Sequence, residues 1–88
     1  MTTWRKLIEE EMERVGDSWN NLVSLVPEGI EDVEFDSSFG EAFGTPFTLW
    51  TAERVYFPVE YDGSESVWSV ARNPDGKATD HISRPFVK

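Results

Sequence analysis

Hydrophobic and polar positions alternate at a period of two through much of the second half of the chain. Three runs there are dense in β-branched and aromatic residues: Phe47-Thr48-Leu49-Trp50-Thr51, then Arg54 through Tyr61, then Glu65 through Ala71. They read as an antiparallel meander. Asp62-Gly63 is a two-residue turn of the kind that favours positive φ, so Gly63 is predicted to adopt it. That turn sets Tyr61 opposite Ser64, Val59 opposite Ser66, Phe57 opposite Trp68 and Val55 opposite Val70. One face then gathers Val55, Phe57, Val59, Tyr61, Trp68 and Val70, and a slip of one residue would scatter it. Glu60 falls opposite Glu65, a like-charge pair that predicts a wet end to this hairpin. For the first hairpin, a three-residue connection Ala52-Glu53-Arg54 puts Phe47 and Leu49 on the face of Phe57 and Val59. A two-residue connection would put Trp50 there, and the first is preferred because it aligns two apolar residues. Pro58 cannot donate to a ladder, so a bulge or an early end to one pairing is predicted there.

The first half has helical spacing. Trp4, Leu7, Ile8, Met12 and Val15 form one stripe, with Thr3 placed to cap it and Gly16 to stop it. Glu9, Glu10, Glu11 and Glu13 lie mostly off the stripe, and Arg5–Glu9 and Glu10–Arg14 are spaced as i,i+4 pairs. This helix is expected to cover the apolar face of the meander, with Phe57 and Trp68 beneath it. Asp17-Ser18 can cap a short second helix carrying Trp19, Leu22, Val23 and Val26, ended by Pro27; the alternative is an irregular apolar segment. Val33 and Phe35 alternate with acids, which fits a short edge strand. Residues 37–46 read as a loop whose Phe39 and Phe43 tuck onto the core, and Arg72 through Gly76 as a turn. Beyond about residue 77 the tail is polar, and Phe86 and Val87 dock or fray. The fold class is therefore α+β: an N-terminal amphipathic helix, with a short second helix, packed on a three- to four-stranded antiparallel β-meander in one small domain over 1–88.

Charge changes the picture more than composition does. Residues 1–45 hold eleven acidic and three basic side chains, and residues 46–88 hold six and five, so nearly all of the net −9 precedes the meander. Such a field repels nucleic acid and anionic membrane and attracts basic partners. The densest part is Glu28, Glu31, Asp32, Glu34 and Asp36, with no basic residue among them. These five are the candidate partner-binding residues; the plainer reading is a solvated acidic face. The chain has no cysteine, no apolar run of transmembrane length and no h-region after its first residues, which together point to a cytoplasmic protein.

Catalytic and cofactor chemistry find little footing. His81 is the only histidine, and Asp80, His81 and Ser83 are too close in sequence to converge as a triad. Zinc lacks ligands, and the alternating Asp32, Glu34 and Asp36 lack the glycine of a calcium loop. Gly40 and Gly44 precede no Lys-Ser/Thr, so no phosphate loop is read. Catalytic, cofactor and metal residues are thus expected to be none.

The segments PFTLWTAERVYFPVEYDG and SVARNP, with WRKLIEEEMERVGDSW upstream, resemble a group of short, acidic, uncharacterised accessory proteins of tailed phages and prophages. The resemblance spans about Trp4 to Gly76 and brings no catalytic residues with it. It implies a phage accessory context, in which a non-enzymatic protein binds a host or defence protein through an acidic surface. Inhibition, even by imitating nucleic acid as anti-CRISPR or anti-restriction proteins do, is the form this would take. The alternative is a homo-oligomeric or virion-associated structural protein using exposed aromatics such as Trp50 and Tyr56.

Overall fold

The stripe of Trp4, Ile8 and Met12 is what turns the first residues into a helix with a buried side. In the computed structural model, which describes residues 2–35, 44–61, 64–79 and 81, α1 spans Trp4–Val15. Thr3 caps it, its hydroxyl accepting from the Lys6 N–H, and Gly16 ends it at a φ of 76°, a left-handed geometry that glycine adopts without strain. Both predicted ends are therefore observed. Neither i,i+4 pair forms as drawn. Arg14 pairs with Glu11 instead of Glu10, and Arg5 reaches across to Asp32. Glu9 accepts from the Trp19 indole at 2.9 Å.

The architecture is α+β, with this one α-helix and two antiparallel sheets among the described residues. β1 (Thr2–Thr3) pairs with β3 (Glu34–Phe35), so the alternation at Val33 and Phe35 does end in a short strand. The main sheet has the order β2-β4-β5-β6, from Leu22–Val26, Thr48–Thr51, Arg54–Tyr61 and Ser64–Ala71. The second helix does not form. Trp19–Asn21 makes only a 3-10 turn capped by Ser18, and the chain continues as β2. A short apolar run fits either period, and pairing with β4 supplies a hydrogen-bond ladder that outweighs an isolated helical turn.

The β5–β6 register is the predicted one at all four pairs, Phe57↔Trp68 included. Pro58 sits in that ladder opposite Val67, while the β4 pairing stops at Leu49↔Tyr56 before reaching Pro58. The Asp62-Gly63 turn, Phe39, Phe43, Asp80, Ser83, Phe86 and Val87 lie outside the described residues.

Two expectations about the faces are overturned. The β4–β5 connection is Ala52-Glu53, which sets Trp50 opposite Val55 and hence on the face of Phe57 and Val59. The Thr51 hydroxyl accepts from the Glu53 and Arg54 N–H groups and closes this tighter turn. The covered face is also the other one. Phe47, Leu49, Tyr56 and Val67, with Leu25 and Phe35, enclose Trp4, Ile8 and Met12, whereas Phe57 and Trp68 stand half-buried on the opposite side. Tyr56 is fully buried rather than exposed. Trp4 is the hub. Its ring lies 4.6 Å from Phe35 and 4.8 Å from Phe47, and its indole N–H donates to Thr45 O. Glu65, expected to be wet, is buried and accepts from the Gly44 N–H at 3.2 Å. Gly44 lies so close to Trp4 that a Cβ would overlap its ring.

Candidate functional site

After β2 the chain turns at Gly29 and winds through a 3-10 turn, Ile30–Asp32, that carries the acids back against α1. Ile30 packs on the core, so the turn is anchored. Arg5 holds it from the helix side: Nε and Nη2 donate to the two Asp32 oxygens at 2.6 and 3.1 Å, and Glu31 lies 3.8 Å from the same guanidinium. The hydrogen bond with Arg5 holds the Asp32 carboxyl below its usual range, and the same bond raises Arg5. Of the five candidate acids, Asp32 is therefore spent on the fold and Glu31 partly so. Glu28 and Glu34 are exposed. Asp36 lies outside the described residues. Glu31 Oε1 is sealed from solvent and has no hydrogen-bond partner among the described residues.

Beside this turn lies β2, which has a neighbour on one side only among the described residues. Leu25 points into the core, but Leu22, Val23 and Val26 are 45, 57 and 56% exposed. With Val33 they are the exposed large hydrophobics of the described chain. A groove of roughly 280 Å³ runs along the strand, lined by Leu22, Val23, Ser24, Leu25, Gly29 and the carboxylates of Glu28 and Glu31. Acid and exposed apolar surface thus meet at one edge. The acids were legible in the sequence but the strand was not, because Leu22, Val23 and Val26 also fit the spacing of a helix.

A second region is polar and closed. Asp17 Oδ2 accepts from the Tyr56 and Thr51 hydroxyls at 2.7 and 2.6 Å, and Oδ1 accepts from the Ser18 N–H and the Asn21 amide. Burial alone would raise Asp17; the hydrogen bonds from Asn21, Thr51, Tyr56 and Ser18 outweigh it and hold the carboxyl below its usual range. Burial, with the bond to Asp17, pushes the Tyr56 phenol far above its ordinary value. Close by, Glu11 accepts from Ser69 Oγ and from Arg14, and Arg54 Nε donates to the same Ser69 oxygen. A cleft of roughly 570 Å³ opens beside Asp17 and Arg54. The Asp17–Tyr56, Glu11–Arg14 and Glu11–Ser69–Arg54 bonds tie the end of α1 to the sheet, while Glu53 and Asp75 also line the cleft. Glu11, grouped by the sequence with the acids mostly off the stripe, is buried on it; its spacing, three residues after Ile8 and seven after Trp4, is the signal that could have shown this. The role of Asp17 carried no such signal.

A third region is the outer face of the main sheet. Trp50, Val55, Phe57, Val59, Trp68 and Val70 are half-buried there, and Ser24, Thr48 and Ser66 share the face, so it bears no charge. At its β6 end the Arg14 guanidinium stacks 3.9 Å from the Trp68 ring. Among the described residues no three His, Asp or Glu side chains are grouped as metal ligands, and no helix is long and apolar enough to cross a membrane. No family model, curated protein or solved structure matches the chain, so the reading of these surfaces rests on their own geometry.

Proposed function

We propose that this protein works by holding another protein rather than by catalysis, and that its acidic side makes the contact. The observation that carries this is the meeting of Glu28 and Glu31 with the exposed Leu22 and Val23 in one groove at the sheet edge. Apolar anchors with a charged rim are what protein interfaces are made of. The sign of the rim asks for Lys and Arg on the partner and for association that weakens with salt. In the phage setting that the sequence resembles, the partner would be a host or defence protein, and blocking its basic surface would make this protein an inhibitor. The test is capture of the partner, then titration with wild type and with the double variant Glu28→Gln/Glu34→Gln at low and high salt. Asp32 is left alone because it holds Arg5. The variant should associate more slowly and lose most of its salt dependence. Equal binding by both proteins, indifferent to salt, would defeat the acidic reading.

A second reading is favoured by the outer sheet face. Its aromatic surface, with the Arg14 guanidinium stacked on Trp68 at one end, suits a homo-oligomeric or virion-associated role centred on Trp50, Phe57 and Trp68. Sedimentation across a concentration series at low and high salt separates the two, because self-association through this face would strengthen as salt screens the −9 charge of each copy, whereas the acid-led contact would weaken.

A further inference from the structure

The two edges of the main sheet differ. At β6, residues 77–79 line a recess with Ser69, Ala71 and the Arg14 and Arg54 side chains. At β2 there is a groove, three exposed apolar side chains and a backbone with every second N–H and C=O turned outward. Proteins ordinarily guard such an edge with lysine, proline or a bulge. Here a bulge lies between Leu22 and Ser24, and Pro27 follows the strand, so Ser24–Val26 is left as a short regular edge.

We propose that β2 accepts an extended segment of a partner protein as an added strand, and that this segment places Lys or Arg against Glu28 and Glu31. The inference rests on the acidic-surface reading and specifies its partner chemistry. Main-chain hydrogen bonds to β2 would give the attachment, and pockets for alternate side chains the selectivity. The carboxylates choose the occupant. Glu28 is exposed and the Glu31 side chain keeps 21% exposure, both at the groove, so an ammonium or guanidinium of the occupant meets them in charge-assisted bonds. A second copy of this chain is a poorer occupant. It would bring Leu22–Val26, which holds no basic side chain, and it would approach against a net charge of −9 on each molecule.

The test uses the full-length protein, labelled for amide NMR, with three probes. The first is a strand-forming peptide of alternating Lys and Val, about nine residues long. The second is the same peptide N-methylated along one edge, and the third has Glu in place of Lys. The Lys–Val peptide should move the amide signals of Leu22–Val26 and slow their exchange. N-methylation should weaken binding by roughly tenfold or more, and the Glu peptide should not bind. Glu31→Gln should weaken the Lys–Val peptide several-fold; Val23→Lys, an exposed change that leaves the carboxylates in place, should do so as well. Shifts confined to Glu28, Glu31 and Glu34 with no loss on N-methylation would overturn strand addition while leaving the acidic reading intact. No shift anywhere at millimolar peptide would overturn both. Protection of the outward-facing β2 amides, those not bonded to β4, in the peptide-free protein, as a dimer or through the chain's own segments as a monomer, would also overturn the proposal.

Discussion

The two faces of the main sheet invert the usual relation between composition and burial. The outer face presents Trp50, Val55, Phe57, Val59, Trp68 and Val70, yet each of these is only half-buried. The inner face mixes Leu49, Tyr56 and Val67 with Thr51, Glu65 and Ser69, and all six are buried. What decides the matter is where α1 can lie. Its stripe carries Glu11 among the apolar residues, and on the inner face Glu11 accepts from the Ser69 hydroxyl in addition to Arg14. Hydrogen bonds to a buried carboxylate offset its desolvation, so this long-range donor adds to what the inner face offers α1. The polar groups of the covered face are therefore part of what selects it.

The sharpest way to break this comparison is to truncate one residue from each face. Tyr56→Ala removes a fully buried ring and its bond to Asp17, and should cost about 3–5 kcal/mol, enough to threaten a domain of this size. Phe57→Ala should cost clearly less, since its ring is half-buried on the open face. Equal shifts in denaturant midpoint for the two variants would mean that the outer face is covered as well as the inner one. Gly44→Ala comes next. The added methyl overlaps the Trp4 ring, and overpacking of this kind costs about 1–3 kcal/mol. Thermal melts that coincide with wild type would show that the Trp4 site can relax around it.

Smaller effects follow from the Asp17–Tyr56 pair. Tyr56→Phe keeps the ring and removes one of the four donors to Asp17, for a loss of about 1 kcal/mol. The pH dependence has a definite sign at each end. Asp17 is depressed in the folded state, so its contribution is present above the unfolded value of about 4 and fades as pH falls through the folded one. Tyr56 is raised, so its contribution is present below about pH 10 and is lost as pH rises beyond that. Denaturant midpoints of wild type and Tyr56→Phe measured from pH 7 to 11 should converge at the alkaline end. Parallel curves would mean that the phenol proton does not sit between these groups. The smallest effect is expected at the proposed contact surface. Glu28→Gln/Glu34→Gln should leave the midpoint within a few tenths of a kcal/mol, because exposed acids add little stability.

Much of this molecule was legible in the order of its residues. Helix α1, its Thr3 and Gly16 ends, and the register of Arg54–Tyr61 against Ser64–Ala71 follow from local spacing and turn chemistry. The acidic run from Glu28 was equally plain. Tertiary structure decided the rest. Leu22–Val26 satisfies two periods, and only the presence of β4 made it a strand and left Leu22, Val23 and Val26 at an open edge. The more apolar face of the meander is the one α1 leaves uncovered, so counting hydrophobic residues pointed to the wrong face. The covered face was set by partners distant in sequence: Glu11 with Ser69, Asp17 with Thr51 and Tyr56, and Arg5 with Asp32. Spacing along the chain determines which side chains share a face. It does not determine which face another element will reach, because that depends on long-range hydrogen bonds whose donors and acceptors meet only when the chain has folded.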